Sequence, residues 1–135
     1  MTTLRDFLYQ TRGSLIDADI PDPRLEAEMI LSHELQVARH RLYAFQNDVL
    51  TSQQLGNLES IVARRIQREP LAYILGHREF YGVDLQVSSA VMVPRSETEL
   101  LVERALLVCL ERLAKDSLVV VDVGTGSGCI AINLA

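Results

Sequence analysis

Histidine, cysteine, positive charge and long apolar runs are all scarce in this chain, and each shortage removes a class of function. Three histidines and two cysteines in 135 residues supply no set at metal-ligand spacing, so no metal site is expected around His33, His40 or His77. Cys109 and Cys129 both fall in apolar surroundings within helix-like patterns. That suits reduced thiols better than a disulfide and points to the cytoplasm. The opening M-T-T-L-R-D-F-L-Y-Q places polar residues at every second or third position and so lacks the apolar core of a signal peptide. No apolar stretch approaches the roughly 18 residues needed to cross a membrane. Thirteen Lys and Arg face 18 Asp and Glu, for a net charge of -5. Up to Leu75 the balance is 8 basic against 10 acidic, and after it 5 against 8. Neither half has the footprint of a nucleic-acid binder. What is abundant is apolar residue, 48% of the chain, enough for the packed core of a soluble domain.

Up to about Leu75 the pattern reads as short helices. Leu4, Phe7, Leu8, Thr11 and Leu15 share one helical face, and Pro21 with Pro23 separates them from a second helix carrying Leu25, Met29, Ile30 and Leu35. Asp22 is expected to cap that helix and Pro23 to occupy its first position. Arg39 to Phe45 is a short third segment contributing Leu42 and Phe45. Thr51 and Gln54 form a T-x-x-Q capping box ahead of a stripe of Leu55, Leu58, Val62 and Ile66. Arg64, Arg65 and Arg68 then fall at the end of this helix, where positive charge complements the dipole, and a solvated helix end is expected rather than a nucleic-acid patch.

The periodicity changes after Glu69-Pro70. Arg78, Phe80 and Tyr81 lead to Gly82, after which Val83, Leu85 and Val87 alternate with Asp84 and Gln86, a hairpin signal. Val91 to Val93 reads as a third extended piece. Pro94-Arg95-Ser96-Glu97-Thr98-Glu99 opens a long helix to about Leu113, with Ser96 and Glu99 at capping-box spacing and Leu100, Leu101, Ala105, Leu107 and Val108 on its buried side.

The end of the chain carries the most specific local signal. Leu118 to Val121 is a continuous apolar run suited to a strand buried on both faces of a parallel sheet, and Asp122 closes it. Gly124, Gly126 and Gly128 allow a sharp turn, and Ile130, Ala131 and Leu134 resume helical spacing. The spacing is G-x-G-x-G. A dinucleotide fingerprint would need Gly or Ala at 129, where this chain has Cys129. The acidic strand end with tight glycines is similar to the first motif of S-adenosylmethionine-dependent methyltransferases with a Rossmann-like sheet. The helical pattern reaches Ala135 without a capping Gly or Pro, so the sequence is expected to be the truncated front of a longer domain. The ribose-binding acid roughly 20 residues past the glycines is then missing from it.

Four segments occur in a characteristic order: E-P-L-A-Y-I-L-G (69–76), R-E-F-Y-G (78–82), V-P-R-S-E-T-E (93–99) and D-V-G-T-G-S-G-C-I-A (122–131). Together they resemble the HemK/PrmC family of release factor glutamine methyltransferases over essentially the whole chain. The resemblance implies an α/β fold with a helical substrate-recognition domain (1–75), a β-hairpin linker (76–93) and the incomplete start of a Rossmann-like methyltransferase domain (94–135). It implies methyl transfer from S-adenosylmethionine to the side-chain amide nitrogen of the glutamine in the G-G-Q motif of peptide chain release factors, by a cytoplasmic monomer that contacts neither nucleic acid nor membrane directly. Cofactor contact then falls on Asp122, Gly124, Thr125, Gly126, Ser127 and Gly128. Asp122 either orients the loop, reaches the cofactor's ammonium group, or accepts backbone N–H groups at the turn.

Ser96 departs from the family's P-R-P-E-T-E pattern, and a capping box is its substitute for the proline. The family's N-P-P-Y substrate motif is expected after Ala135, so no catalytic residue is assigned and the 135-residue chain is expected to be inactive alone. Glu97, Thr98 and Glu99 either border the cofactor pocket or simply start a helix, and Arg95 either pairs with Glu97 or Glu99 or faces the pocket. Two other readings stand beside this one: a methyltransferase acting on a ribosomal-protein glutamine, and a non-catalytic partner-binding module.

Overall fold

Residues 1–113 and 118–135 are described by the computed structural model and fall into two units, Met1–Leu75 and Gly76–Ala135. In the first, α1 (Leu4–Asp17) begins at a capping box in which the Thr3 side chain accepts the Asp6 N–H and the Asp6 carboxylate accepts the Thr3 N–H. Its buried residues are Leu4, Phe7, Thr11 and Leu15, the i, i+3, i+4 stripe read from sequence. An isolated antiparallel bridge between Thr3 and Val49 ties the start of the chain to the segment just before Thr51. Leu4 N donates to Asp48 O at 3.0 Å and Leu50 N to Thr2 O at 3.0 Å.

The second helix, α2 (Pro23–Leu35), starts with Pro23 in its first turn, yet Asp22 makes no side-chain cap bond and lies in the left-handed region at φ 51. The expected Asp22 cap is therefore absent; Pro23 alone presets the helix, because its fixed φ needs no N–H partner. Its buried face is Ala27, Glu28, Ile30 and Leu31, and Leu25, expected inside, is exposed. A 3-10 helix, Arg39–Ala44, buries Leu42 and leaves Phe45 exposed. The T-x-x-Q box at Thr51 and Gln54 forms in full at the head of α3 (Ser52–Ile66), which buries Leu58 and Val62, while Ile66 is exposed. Leu71 and Leu75 of α4 (Leu71–Leu75) close a core shared with Leu4, Phe7, Ile30, Leu31, Leu42, Leu50, Leu58 and Val62.

Arg65 is the clearest correction in this unit. Instead of a solvated helix end, its side chain is 12% exposed and forms a two-pronged ion pair with Glu26 of α2, Nε to Oε2 at 2.6 Å and Nη2 to Oε1 at 3.0 Å. Its Nη1 also donates to Glu69 O at 3.2 Å. Arg64 pairs with Glu69, and Arg68, outside α3 at φ 71, donates to Asp19 O at 2.9 Å.

In the second unit, β1 (His77–Phe80) and β2 (Val83–Gln86) form the expected antiparallel hairpin, with Phe80 opposite Val83 and His77 opposite Gln86. Tyr81 and Gly82 both have positive φ, 50 and 77, the requirement of a two-residue turn whose twist matches the strands. Val91 to Val93 does not extend as a third strand: Val91 N donates to Ser88 O at 3.1 Å and closes a turn instead.

Helix α5 (Glu97–Leu113) packs differently from the sequence reading. Val102 is fully buried against Phe80 and Leu85, with Leu106 beside it, while Leu100, Leu101, Leu107 and Val108 are 60%, 55%, 55% and 52% exposed. A helix apolar on more than one side has no unique inward face by periodicity; here the hairpin selects the Val102–Leu106 stripe. Ser117 lies outside the described residues. Leu118 to Val121 is not a strand, and Val119, Val121 and Val123 are 85%, 76% and 90% exposed. A parallel strand exists only through its neighbours' ladder, and no described residue supplies one.

Candidate cofactor site

The G-x-G-x-G loop is built as a left-handed staircase. Gly124, Gly126 and Gly128 have φ of 77, 57 and 79, values that cost other residues strain. Gly128 N donates to Thr125 O at 2.9 Å, and Ile132 N to Gly128 O at 2.9 Å, so the turn feeds directly into α6 (Cys129–Leu134). A Cβ on Gly128 would come within 3.1 Å of Ile132 Cδ1, whereas one on Gly126 would meet only Gly124 O, at 3.9 Å. The first is a packing glycine. The second leaves open space beside the backbone, room that a ligand's chain can use.

The loop is anchored from below. Cys129, Ile130 and Leu134 pack against the Phe80, Leu85 and Val102 cluster, so hairpin, α5 and α6 together set where it sits. Ala131, the third residue expected on that face, is exposed. Asp122 and Ser127 flank the glycines, and Asp122 Oδ2 and Ser127 Oγ are buried with no hydrogen-bond partner. A buried carboxylate oxygen and hydroxyl without partners cost free energy, on the order of 1–3 kcal/mol each, until something polar meets them. These two side chains and the open Gly126 backbone fit a small ligand carrying cationic and hydrogen-bonding groups. Thr125 is exposed.

The P-R-S-E-T-E segment makes helix-start and hairpin contacts. Glu99 Oε1 accepts the backbone N–H of Tyr81 at 3.1 Å, tying the first turn of α5 to the hairpin tip. Thr98 N donates to Arg95 O at 3.0 Å and Glu99 N to Ser96 O at 3.0 Å. Arg95 is exposed and forms no ion pair with Glu97 or Glu99. On the hairpin, Arg78 shares the face of Phe80 and Leu85, and its Nε is buried without a partner. His77 Nδ1 lies 2.8 Å from Asp84 Oδ1.

Among the described residues no group of three His, Cys, Asp or Glu could hold a metal, and no helix is long and apolar enough to cross a membrane. Both cysteines are free and half-buried.

The model of the PrmC N-terminal domain matches residues 6–76. The chain belongs to the PrmC N-terminal domain family. Among its relatives, the release factor glutamine methyltransferase of Geobacter sulfurreducens is 44% identical over 98% of this chain and 45% of the relative. The release factor glutamine methyltransferase of Koribacter versatilis is 45% identical over 98% of this chain and 46% of the relative. That of Nitratidesulfovibrio vulgaris is 41% identical over 98% and 43%. The chain thus spans somewhat under half the length of these curated relatives.

Proposed function

We propose that this chain is the N-terminal part of an S-adenosylmethionine-dependent methyltransferase that modifies the G-G-Q glutamine of peptide chain release factors. The observation that carries the reading is the loop itself: three left-handed glycines between a buried, unpartnered Asp122 oxygen and Ser127 hydroxyl, in a chain of the PrmC family. In this reading 1–75 recognises the substrate, 76–93 links, and 94–135 begins the methyltransferase domain, in a monomeric cytoplasmic protein. The leucine face of α5 and the exposed valines of Leu118–Val123 are surfaces that further strands of a Rossmann-like sheet would cover.

S-adenosylmethionine, when bound, supplies an electrophilic methyl group on a sulfonium. Asp122 and Gly124, Thr125, Gly126, Ser127 and Gly128 would hold it. Asp122 offers a carboxylate oxygen to a cationic group, Ser127 offers a hydroxyl, and the glycine backbone allows close approach. Glu99 holds the hairpin tip against α5 and so keeps the platform beneath the loop in place. A glutamine amide nitrogen is a poor nucleophile because its lone pair is delocalised into the carbonyl, so its orientation must come from a substrate-binding element, and no residue of this chain is assigned that work.

The test uses protein expressed from the complete reading frame that encodes this chain, incubated with S-adenosylmethionine carrying a tritiated methyl group and a purified release factor. Label in the G-G-Q peptide, abolished by Gln→Ala there, is expected. Label confined to a ribosomal protein, or cofactor binding without label in either, overturns the release-factor assignment. The 135-residue chain alone should show no micromolar cofactor binding by calorimetry, and Gly126→Val should weaken binding by the longer protein.

A further inference from the structure

Arg78 is a cation without a counter-charge on an apolar face. The hairpin register sets it opposite Leu85 and sets Phe80 opposite Val83, and strand alternation puts these residues on one side of the ribbon. The neighbouring acids are on the other side: Glu79 stands opposite Asp84, and Asp84 is engaged with His77. Glu99, which reaches the hairpin tip from α5, accepts the Tyr81 N–H instead. Among the described residues Arg78 has no ion-pair partner, and its Nε is buried without a hydrogen-bond partner. A buried guanidinium nitrogen in that state has lost its water and gained nothing, a cost that a bound anion would remove. The other basic residues of the unit differ. Arg95, Arg104 and Arg112 are exposed and keep their hydration, and Lys115 lies outside the described residues.

Arg78 also stands on the platform of the glycine loop. Phe80 and Leu85 form, with Val102, the cluster against which Cys129 and Ile130 pack, and Cys129 follows Gly128 directly. Among the described residues, the buried side-chain nitrogens and oxygens that lack a partner are Arg78 Nε, Asp122 Oδ2 and Ser127 Oγ. All of them belong to Gly76–Ala135, and their demands are complementary. A carboxylate oxygen calls for a cationic donor, a guanidinium nitrogen for an anion, and a hydroxyl for either kind of partner. The end of an α-amino acid answers all of them, since it carries an ammonium and a carboxylate on one carbon.

We propose that Arg78 binds the carboxylate of the methionine end of S-adenosylmethionine while Asp122 takes its ammonium group. The proposal rests on the cofactor reading above and adds to it the residue that selects an intact amino-acid end. The guanidinium makes a charge-assisted bond to a group remote from the sulfonium methyl, so it acts on cofactor affinity and not on the transfer step.

The test uses protein from the complete reading frame and calorimetry of two ligands, S-adenosylmethionine and its decarboxylated form, which keeps the amine and the sulfonium and lacks the carboxylate. Arg78→Met preserves the apolar stem of the side chain and removes its charge. It should weaken S-adenosylmethionine binding by about tenfold or more and change binding of the decarboxylated form by less than about twofold. Arg78→Lys should fall between the parent and Arg78→Met, because a point charge replaces the planar fork; it carries the same comparison should the methionine variant fail to fold. Arg104→Ala should leave both affinities within about twofold of the parent. In methylation assays Arg78→Met should raise the KM for the cofactor and leave kcat within about twofold. The proposal is overturned if both ligands weaken equally, which is the mark of a structural arginine, or if neither weakens. It is also overturned if the loss falls on the KM for the release factor alone, which would assign Arg78 to the protein substrate. A parent that binds neither ligand overturns the cofactor reading itself, and this proposal with it.

Discussion

Replacing Arg65 by methionine should cost the first unit a large share of its stability, and the structure sets the scale. The guanidinium and its Glu26 partner are 12% and 16% exposed, with Nε–Oε2 at 2.6 Å. Removing one member of a buried pair costs about 3–5 kcal/mol, chiefly because the other charge is left desolvated and unpaired. Residual exposure of both groups places this pair at the lower end. The bond from Arg65 Nη1 to Glu69 O adds about 1 kcal/mol, for a total near 3–4 kcal/mol. A domain of 75 residues has on the order of 4–11 kcal/mol to lose, so the thermal midpoint of the unit should fall by about 12 °C or more. The companion variant decides the cause. Arg65→Met with Glu26→Leu removes both charges and should recover most of the loss, giving a coupling of about 2 kcal/mol or more in a double-mutant cycle. Urea titrations of the full chain followed by helical dichroism would measure all four corners. A single-variant cost below about 1 kcal/mol, or a double variant as unstable as the two single losses added together, would show that the pair is effectively solvated and the reasoning wrong.

Acid should destabilise the same unit through Glu28. Burial pushes its carboxyl up, but hydrogen bonds from Tyr43 and Arg24 outweigh this and hold it below the ordinary 4.5. A depressed folded-state value means stability present above about 4.5 and lost as pH falls through the lower folded value. Thermal midpoints from neutral pH down to about 2.5 should show that loss, and Glu28→Gln should flatten it; an unchanged slope would remove Glu28 as its source. Hydrogen exchange should distinguish the end of the chain: amides of Val119 to Val121 should exchange near free-chain rates while those of Phe7 to Thr11 are protected, because the former have no ladder and the latter are in α1. Equal protection in a monomeric sample would contradict this.

Local chemistry was legible without coordinates wherever both partners lie within a few residues. The α1 stripe, the Thr51–Gln54 box and the Tyr81-Gly82 turn follow from helical period, side-chain reach and backbone strain, none of which needs a distant neighbour. The three glycines around Thr125 and Ser127 belong to the same class, since positive φ is written in their missing Cβ. The T-x-x-D box at Thr3 and Asp6 is local in the same way.

The sequence alone therefore determined which segments coil, where they turn and which loop is shaped for close backbone approach, because those choices are settled by interactions spanning four residues or fewer. Tertiary structure decided which faces and charges are buried. Arg65 is inside because Glu26 comes from 39 positions away, and Glu28 because Tyr43 comes from 15. Glu99 anchors the hairpin through Tyr81, 18 residues back. Helix α5, apolar on two sides, turns Val102 inward only because Phe80 and Leu85 stand there. Burial is a property of pairs of surfaces, and a linear pattern records only one member of each pair.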